Sequence, residues 1–295
     1  MIGHLQTIAA LLLRPPPVRY VRERWDTPDG DFIDVDFAGD AQAQRVMVLF
    51  HGLEGCSDSH YARLLARALP AAGWRVAIPH WRGCSGEPNR RPRAYHSGDT
   101  AEVDWILRKF STPVDAIGIS LGGNALLKWL GERAAAAAPL LRRAAAVSAP
   151  LDLAAAGRAL DRGINRLLYT RMFLATLKPK SLGQLERFPE LFDAAKLRGA
   201  RTFREFDDIY TAPLHGFRDV DHYWTTSSSG PWLDRIQVPT LVINARNDPF
   251  LPVEALEAAT AKAASSVLLE FPRTGGHVGF RGAWLARRLL EFFRT

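Results

Sequence analysis

One serine stands in a glycine-rich turn, Gly118-Ile119-Ser120-Leu121-Gly122-Gly123. The apolar run Val114–Ile119 leads into this turn and predicts a buried strand, and the residues that follow predict a helix. A tight turn from a strand into a helix strains the serine backbone and exposes the serine oxygen at the end of the strand. The pattern therefore predicts that Ser120 is a nucleophile.

An acid and a base follow this serine in the chain order that such chemistry requires. Asp248 comes soon after the apolar run Thr240–Ile243, and His277 lies in a glycine-rich loop after the last predicted strand. We expect His277 to take the serine proton and then give it to the leaving group. Asp248 would fix the tautomer of His277 and stabilise its imidazolium. Asp152, which follows the preceding strand, is the alternative acid.

A second glycine-rich turn, His51-Gly52-Leu53-Glu54-Gly55, directly follows the predicted strand 46–50. Acyl transfer places negative charge on a carbonyl oxygen, and backbone N–H groups held in advance stabilise that charge. We expect the N–H groups of Leu53 and Leu121 to form this oxyanion hole. The alternative interpretation of the segment is an ordinary turn between a strand and a helix.

Short apolar runs alternate with helical stretches along most of the chain. This alternation predicts an α/β fold, specifically the α/β-hydrolase fold, with a mostly parallel sheet and helices on both faces. The segment 31–38 instead alternates apolar and acidic residues, which predicts an antiparallel edge with one face in water. The runs that predict buried strands are 46–50, 74–79, 114–119, 144–149, 240–243 and 267–271.

The segment 151–230 interrupts the alternation, because it contains apolar helical patterns but no clear buried strand. We expect a helical cap inserted after the sixth strand, above the carboxyl edge of the sheet. Residues 1–150 and 231–295 would then form the hydrolase core. The apolar cap residues that are candidates for an acyl pocket, with helix packing as the alternative, are Leu167, Leu168, Tyr169, Met172 and Phe173.

Composition limits the class of protein. The chain has 295 residues, of which 47% are hydrophobic and 23% are charged, and this is typical of a folded protein with a large core. It has two cysteines, Cys56 and Cys84, so no disulfide framework is expected and a cytoplasmic location is predicted. The net charge is +7, but the arginines are scattered, and no helix has a continuous basic stripe with interleaved aromatic residues. Nucleic-acid binding is therefore not predicted.

The first residues, 1–14, predict a short amphipathic helix. Its apolar run, 8–13, is much shorter than the ~20 residues that cross a bilayer, so no stable membrane insertion is expected. We expect the helix to pack on the body of the protein, with peripheral lipid contact as the alternative. No cofactor or metal is predicted, because the histidines lack metal-ligand spacing with carboxylates or cysteines. The expected partner is a small-molecule ester, and the oligomeric state is not predicted.

Several strings resemble the YheT-like α/β-hydrolases, and they run from the N-terminus to the last helix. The strings are HLQTI (4–8), HGLEG (51–55), RGCSGEPN (82–89), YHSGDT (95–100), GISLGGN (118–124), FDDIYTAPLHGF (206–217), NDPF (247–250) and GGHVGF (275–280). The resemblance implies an esterase or lipase-like hydrolase, related to eukaryotic enzymes that act on medium-chain esters and phospholipids. It places the triad on Ser120, Asp248 and His277, and it places 206–217 in the cap.

Three functions are compatible with these residues. The favoured hypothesis is hydrolysis of carboxylic esters with a short to medium acyl chain, through an acyl-enzyme on Ser120. An acyltransferase would use the same triad to pass the acyl group to an alcohol or a thiol. A non-catalytic binding protein on a hydrolase scaffold is the third hypothesis, and it is disfavoured because each triad position holds a competent side chain.

Overall fold

The computed structural model describes residues 1–12 and 15–294, and its centre is one twisted sheet. In these residues the sheet has eight strands, in the spatial order β1-β2-β4-β3-β5-β6-β7-β8. Strand β2 is antiparallel to β1 and β4, and the other neighbours are parallel. The strands are β1 Val21–Asp26, β2 Phe32–Ala38, β3 Arg45–Phe50, β4 Trp74–Pro79, β5 Val114–Ile119, β6 Leu141–Val147, β7 Thr240–Ile243 and β8 Val267–Glu270.

Helices cover both faces of the sheet, so the predicted α/β-hydrolase architecture is confirmed. Alternate side chains of β3 enter two different apolar clusters: Val48 packs with α3 and α4, and Leu49 packs with α2 and α13. The helices are α1 Ile2–Leu12, α2 His60–Ala68, α3 Thr100–Leu107, α4 Leu121–Arg133, α5 Leu153–Leu160, α6 Gly163–Asn165, α7 Arg171–Gln184, α8 Ala194–Gly199, α9 Phe203–Phe206, α10 Ala212–Leu214, α11 Val220–Ser227, α12 Val253–Thr260 and α13 Trp284–Arg294.

The expectation of a wet face on the segment 31–38 is wrong. Strand β2 lies between β1 and β4, and all seven of its residues are buried, including Asp34 and Asp36. Arginines of the outer strand β1 neutralise these carboxylates: Arg22 Nε lies 2.7 Å from Asp36, and Arg24 Nε lies 2.7 Å from Asp34. Alternation of polar and apolar residues cannot distinguish a water-facing carboxylate from one that is buried with an ion-pair partner.

The segment between β6 and β7 is helical, from α5 to α11, and it forms a separate apolar cluster. Its two ends meet, because Gly230 N–H donates to Leu151 O at 2.9 Å and Leu153 N–H donates to Ser228 Oγ at 2.9 Å. An insertion whose ends close on each other leaves the strands on either side adjacent in the sheet. These contacts support the boundaries 151–230 that we propose for the cap.

Helix α1 packs on the body of the protein, as expected, with Gly3, Gln6 and Thr7 buried. Gly3 is required there, since a Cβ atom at this position would lie 2.0 Å from the backbone oxygen of Asn247. The end of the predicted N-terminal segment, Leu13 and Arg14, lies outside the described residues. Among the helices of residues 1–12 and 15–294, none is long and apolar enough to cross a membrane.

Candidate active site

Ser120 occupies the sharp turn between β5 and α4. Its backbone angles, φ 51° and ψ −116°, lie in a region that residues other than glycine rarely adopt. Gly118 and Gly122 permit the turn, because a Cβ atom on Gly118 would lie 2.5 Å from the Gly122 oxygen. Leu121 is the first residue of α4, so its N–H has no acceptor within the helix and lies beside the serine.

The three predicted triad residues are joined by hydrogen bonds. His277 Nε2 lies 2.9 Å from Ser120 Oγ, and His277 Nδ1 lies 2.9 Å from Asp248 Oδ2. The second carboxylate oxygen of Asp248 accepts the Phe250 N–H at 2.9 Å, and the Asp248 side chain is fully buried. With Nδ1–H donated to the carboxylate, Nε2 is left as the acceptor for the serine proton, which is the tautomer that a general base requires.

Asp152, the alternative acid, has a different role in the structure. Its side chain accepts the Ala155 N–H at 2.9 Å and caps the N-terminus of α5. In the described part of the chain, it makes no hydrogen bond to His277. The geometry therefore favours Asp248 over Asp152 as the partner of the histidine.

Helix α1 holds the histidine loop in place, a role that the sequence analysis did not predict. Thr7 Oγ1 accepts the N–H of His277 at 2.8 Å. Gln6 Oε1 accepts hydrogen bonds from Gly275 N at 3.1 Å and from Asn247 Nδ2 at 2.8 Å. The string HLQTI carried the only sequence signal, since it belongs to the family resemblance although it lies outside the sheet.

The predicted oxyanion loop is fixed by two buried tyrosines. Gly52 N–H donates to the Tyr61 hydroxyl at 2.9 Å, and Glu54 N–H donates to the Tyr95 hydroxyl at 2.9 Å. Leu53 lies between these two anchored amides, and its own N–H has no acceptor among the described residues. Glu54 has a positive φ of 53°, so the turn is strained as well as anchored. This arrangement leaves the Leu53 N–H available to a ligand oxygen.

The first residue of this loop is a neutral histidine. Burial lowers the pKa of His51 to about 3, so the ring carries one proton at neutral pH. Nδ1 lies 2.8 Å from the Gly52 oxygen, and Nε2 accepts the Trp81 N–H at 3.1 Å. The proton must therefore be on Nδ1, where it is donated to the Gly52 carbonyl. His51 thus ties the oxyanion loop to the turn after β4 without adding charge.

A lysine from the cap reaches the same loop. Lys180 Nζ lies 2.5 Å from Glu54 Oε1, 3.0 Å from the Gly83 oxygen and 3.4 Å from Cys84 Sγ. The Tyr95 hydroxyl donates to the same carboxylate oxygen at 2.8 Å. Burial raises the pKa of the Cys84 thiol to about 11, which keeps it protonated at neutral pH. Lys180 therefore connects cap and core at the residue after Leu53, and sequence spacing gave no sign of this contact.

Asn124 fastens the cap to the helix that follows the nucleophile. Its Nδ2 donates to the backbone oxygens of Ser97 and Ser227, both at 2.8 Å, and its Oδ1 accepts the Ser229 N–H at 2.9 Å. All of these atoms are buried or nearly so, so a fully satisfied amide sits at the end of the cap segment. The residue belongs to the string GISLGGN but has no place in the predicted triad chemistry.

A cavity of about 970 Å³ opens over Ser120 and His277, between the sheet edge and the cap. Most of its lining is apolar, and the cap residues Tyr169, Met172 and Phe173 take part in it. Of the predicted pocket residues, Leu167 and Leu168 do not line it and are instead exposed to solvent. Other apolar side chains in the lining are Leu153, Leu177, Phe203, Phe206, Tyr210 and Trp224.

Comparison with known proteins decides the family. A family model described as "alpha/beta hydrolase fold" matches residues 45–281. The chain belongs to the α/β-hydrolase family. Within the part of this α/β hydrolase that the structure describes, no group of three or more histidine, cysteine, aspartate or glutamate side chains is arranged to hold a metal ion.

Relatives of this α/β hydrolase confirm the YheT-like resemblance. YheT of Escherichia coli (strain K12) is 37% identical, over 99% of this chain and 90% of its own length. The protein named "Phospholipase ABHD3" of Mus musculus is 31% identical, over 92% of this chain and 71% of its own. The Saccharomyces cerevisiae protein named "Medium-chain fatty acid ethyl ester synthase/esterase 2" is 30% identical, over 84% of this chain and 61% of its own.

Solved structures agree with this fold. The Pyrococcus furiosus esterase Pf2001 superposes with a TM-score of 0.61 at 17% identity, covering 96% of this chain and 98% of its own. A hydrolase from Pseudomonas aeruginosa PA01 superposes with a TM-score of 0.61 at 19% identity, covering 93% and 98% of the two chains. At these identities the likeness concerns the fold alone.

Proposed function

We propose that this α/β hydrolase is a serine esterase that cleaves carboxylic esters with short to medium acyl chains. The observation that carries the proposal is the hydrogen-bonded series Asp248–His277–Ser120 at the floor of a largely apolar cavity. The cavity is of the size that small-molecule sites usually have. The name of the yeast relative refers to medium-chain fatty acid esters, which supports the choice of substrate class.

In the proposed mechanism, Ser120 Oγ attacks the ester carbonyl carbon while His277 Nε2 accepts the hydroxyl proton. Negative charge moves to the carbonyl oxygen, where the N–H groups of Leu53 and Leu121 would receive it. The carbon–oxygen bond to the alcohol then breaks as His277 returns the proton to the leaving oxygen. Water, deprotonated by His277, attacks the acyl-enzyme and releases the acid and the free serine.

The test uses two serine variants that both face the cavity. Ser120→Ala should lower kcat for p-nitrophenyl butyrate on the order of a thousandfold or more, because the nucleophile is lost. Ser181→Ala, a buried cap serine in the same lining, should retain most of the activity. A fluorophosphonate probe should label the wild type and Ser181→Ala but not Ser120→Ala. Activity of Ser120→Ala within about tenfold of wild type would contradict the proposal.

The same acyl-enzyme could also transfer its acyl group to an alcohol, and the word "synthase" in the name of the yeast relative is a specific reason to measure this. Water and alcohol compete for one intermediate, so the outcome depends on which acceptor reaches Ser120. Turnover with added ethanol, followed by chromatography of the acid and ethyl ester products, gives the ratio of the two reactions. A dominant ethyl ester product would assign acyl transfer as the main reaction.

A further inference from the structure

The outer face of one cap helix is apolar, although it faces solvent. Helix α6, the π-helical turn Arg166–Thr170 and α7 form a continuous helix over residues 163–184, which we call the cap helix. Its inner face buries residues such as Leu174 and Leu177. Its outer face exposes Ile164, Leu167, Leu168 and Met172, with relative exposures of 55%, 68%, 42% and 43%. These four positions share one side of a helix, because they are three, four and eight residues apart.

Helix α1 has the same property and touches the cap helix. Its buried side is Gly3, Gln6 and Thr7, while Ile2 is 61% exposed and Leu5 is 67% exposed. His4 of α1 stacks on Tyr169 of the cap helix, with ring centroids 5.7 Å apart and a hydrogen bond of 3.1 Å to the Tyr169 hydroxyl. Among the described residues, seven of the ten large hydrophobic side chains that are exposed belong to these two helices, and an eighth, Met1, immediately precedes α1.

The two helices border the active-site cavity. Thr7 of α1 and the cap-helix residues Tyr169 and Met172 all contribute to the cavity lining. Met172 is 43% exposed and also lines the cavity, so the exposed apolar stripe of the cap helix reaches the cavity wall. Scattered exposed hydrophobic residues need no explanation, whereas a contiguous set beside a binding site indicates an interaction surface.

Positive charge surrounds the apolar stripe. From Arg158 to Lys180 the sequence has six basic residues and one acidic residue, Asp161. The carboxylate of Asp161 is turned inward, where it accepts the backbone N–H groups of Phe203 and Arg204 at 2.7 and 3.0 Å. Four exposed arginines make no salt bridge with a described residue: Arg158, Arg162, Arg166 and Arg171. Only longer-range attraction to carboxylates reaches Arg158, from Asp221, and Arg166, from Asp161 and Glu205.

A basic groove continues this surface on the other side of the cap helix. It has a volume of about 630 Å³, and its walls include Arg166, Arg171, Lys178, Arg198 and Arg201. Lys178 donates only to backbone oxygens, so its charge is not neutralised by a carboxylate. The groove floor is apolar where Leu174 and Leu182 line it. Such a surface matches an anionic lipid layer, because the exposed leucines suit the acyl chains and the cations without salt bridges suit the lipid phosphates.

We propose that α1 and the cap helix form a docking surface for an anionic lipid bilayer, which sets the cavity mouth against the lipid. The exposed leucines would enter the boundary between headgroups and acyl chains, and the arginines would contact lipid phosphates. Turning the cavity towards the lipid would help catalysis only if the protein hydrolyses esters, so the inference rests on the proposed function. Docking itself does not depend on turnover.

Vesicle flotation tests the proposal in a Ser120→Ala background, so that the lipid is not consumed. The Ser120→Ala protein, with its docking surface unchanged, should bind vesicles of equal parts phosphatidylglycerol and phosphatidylcholine. Its binding should be weaker to vesicles of pure phosphatidylcholine and at high salt. Arg166→Gln combined with Arg171→Gln should reduce partition to anionic vesicles by about thirtyfold. Leu167→Ser combined with Leu168→Ser should reduce it on the order of tenfold or more.

Two control variants lie outside the docking surface. Arg287→Gln removes an exposed arginine from α13, and Val21→Ser removes an exposed hydrophobic residue from β1. Both should bind vesicles as the parent protein does. With Ser120 restored, the two docking variants should hydrolyse p-nitrophenyl butyrate at the parent rate, because their altered side chains do not line the cavity.

Three outcomes would overturn the docking proposal. The first is no binding to anionic vesicles, and the second is equal loss of binding in the docking and control variants. The third outcome combines two results: the wild type does not bind vesicles, and analytical ultracentrifugation shows a wild-type dimer that the double variant Leu167→Ser with Leu168→Ser dissociates. The surface would then be a contact between two copies of the chain. If instead the esterase proposal is wrong, the pattern is different: vesicle binding persists, but the protein with Ser120 restored hydrolyses no ester.

Discussion

Tyr95 is the residue whose removal tests the oxyanion loop most directly. Its hydroxyl accepts the Glu54 N–H at 2.9 Å and donates to the Glu54 carboxylate at 2.8 Å, next to the proposed donor Leu53. Tyr95→Phe keeps the buried ring but removes both hydrogen bonds. An amide that loses its partner in a buried site costs about 1–3 kcal/mol of folding free energy.

The effect on catalysis follows from the position of this amide. Complete loss of an oxyanion donor lowers kcat by roughly 10²–10³-fold, and Tyr95→Phe would displace the Leu53 N–H rather than delete it. We therefore expect kcat for p-nitrophenyl butyrate to fall by roughly tenfold to a hundredfold. KM should change by no more than about twofold, because the ring that lines the cavity remains in place.

Tyr223→Phe is the matched control. Its hydroxyl accepts a backbone N–H, that of Ser97, at 3.0 Å, and its buried ring lines the same cavity. Loss of the Tyr223 hydroxyl should lower the free energy of unfolding about as much as Tyr95→Phe does. It should leave kcat nearly unchanged, because Tyr223 makes no hydrogen bond to the loop 52–55. Thermal unfolding and steady-state kinetics on both variants separate the two effects. If kcat fell equally in both, or in neither, Tyr95 would not be a positioning residue for the oxyanion hole.

Three further predictions concern the acid, the cavity and pH. Asp248→Asn should lower kcat far more than Asp152→Asn, because only Asp248 bonds His277. Phe173→Ala should move the best substrate in a p-nitrophenyl ester series to a longer acyl chain, since each methylene that enters gains at most about 0.8 kcal/mol. Burial raises the pKa of Asp207 from 3.8 to about 6, so Asp207→Asn should raise Tm above pH 6 and not below pH 3.8.

The sign of the pH effect follows from linkage. A raised pKa means that the folded state binds the proton more tightly, so the stability contributed by neutral Asp207 is present at low pH and is lost as pH rises through about 6. The shift corresponds to roughly 3 kcal/mol at most. Asparagine keeps contact with Trp224 Nε1 and with the Thr211 hydroxyl, which can accept instead of donate.

Each of these predictions has a result that would refute it. Greater damage from Asp152→Asn would reassign the acid, and an unchanged chain-length profile for Phe173→Ala would mean that this ring only packs against Phe203. The partly exposed Met172 provides a comparison, because its truncation should shift the profile less. A Tm gain for Asp207→Asn that is the same at all pH values would exclude titration as its cause.

Local sequence determined the triad candidates because their turn chemistry is local. Glycines around Ser120 and His277 mark loops at the ends of buried strands, and parallel strands bring their carboxyl ends to the same edge of the sheet. Once the strand–helix alternation was recognised, chain order alone was enough to bring three distant residues together. The strand boundaries were predicted to within a few residues for the same reason.

The tertiary structure alone decided which faces and partners each element uses. Periodicity shows that a helix has an apolar side, but it does not say whether that side is buried, as the exposed Leu167 and Leu168 demonstrate. Likewise, Asp34 is buried because Arg24 on the neighbouring strand neutralises it. The contact between Lys180 and Glu54 joins residues 126 positions apart. Such contacts form only when the cap closes over the sheet, so no local pattern encodes them.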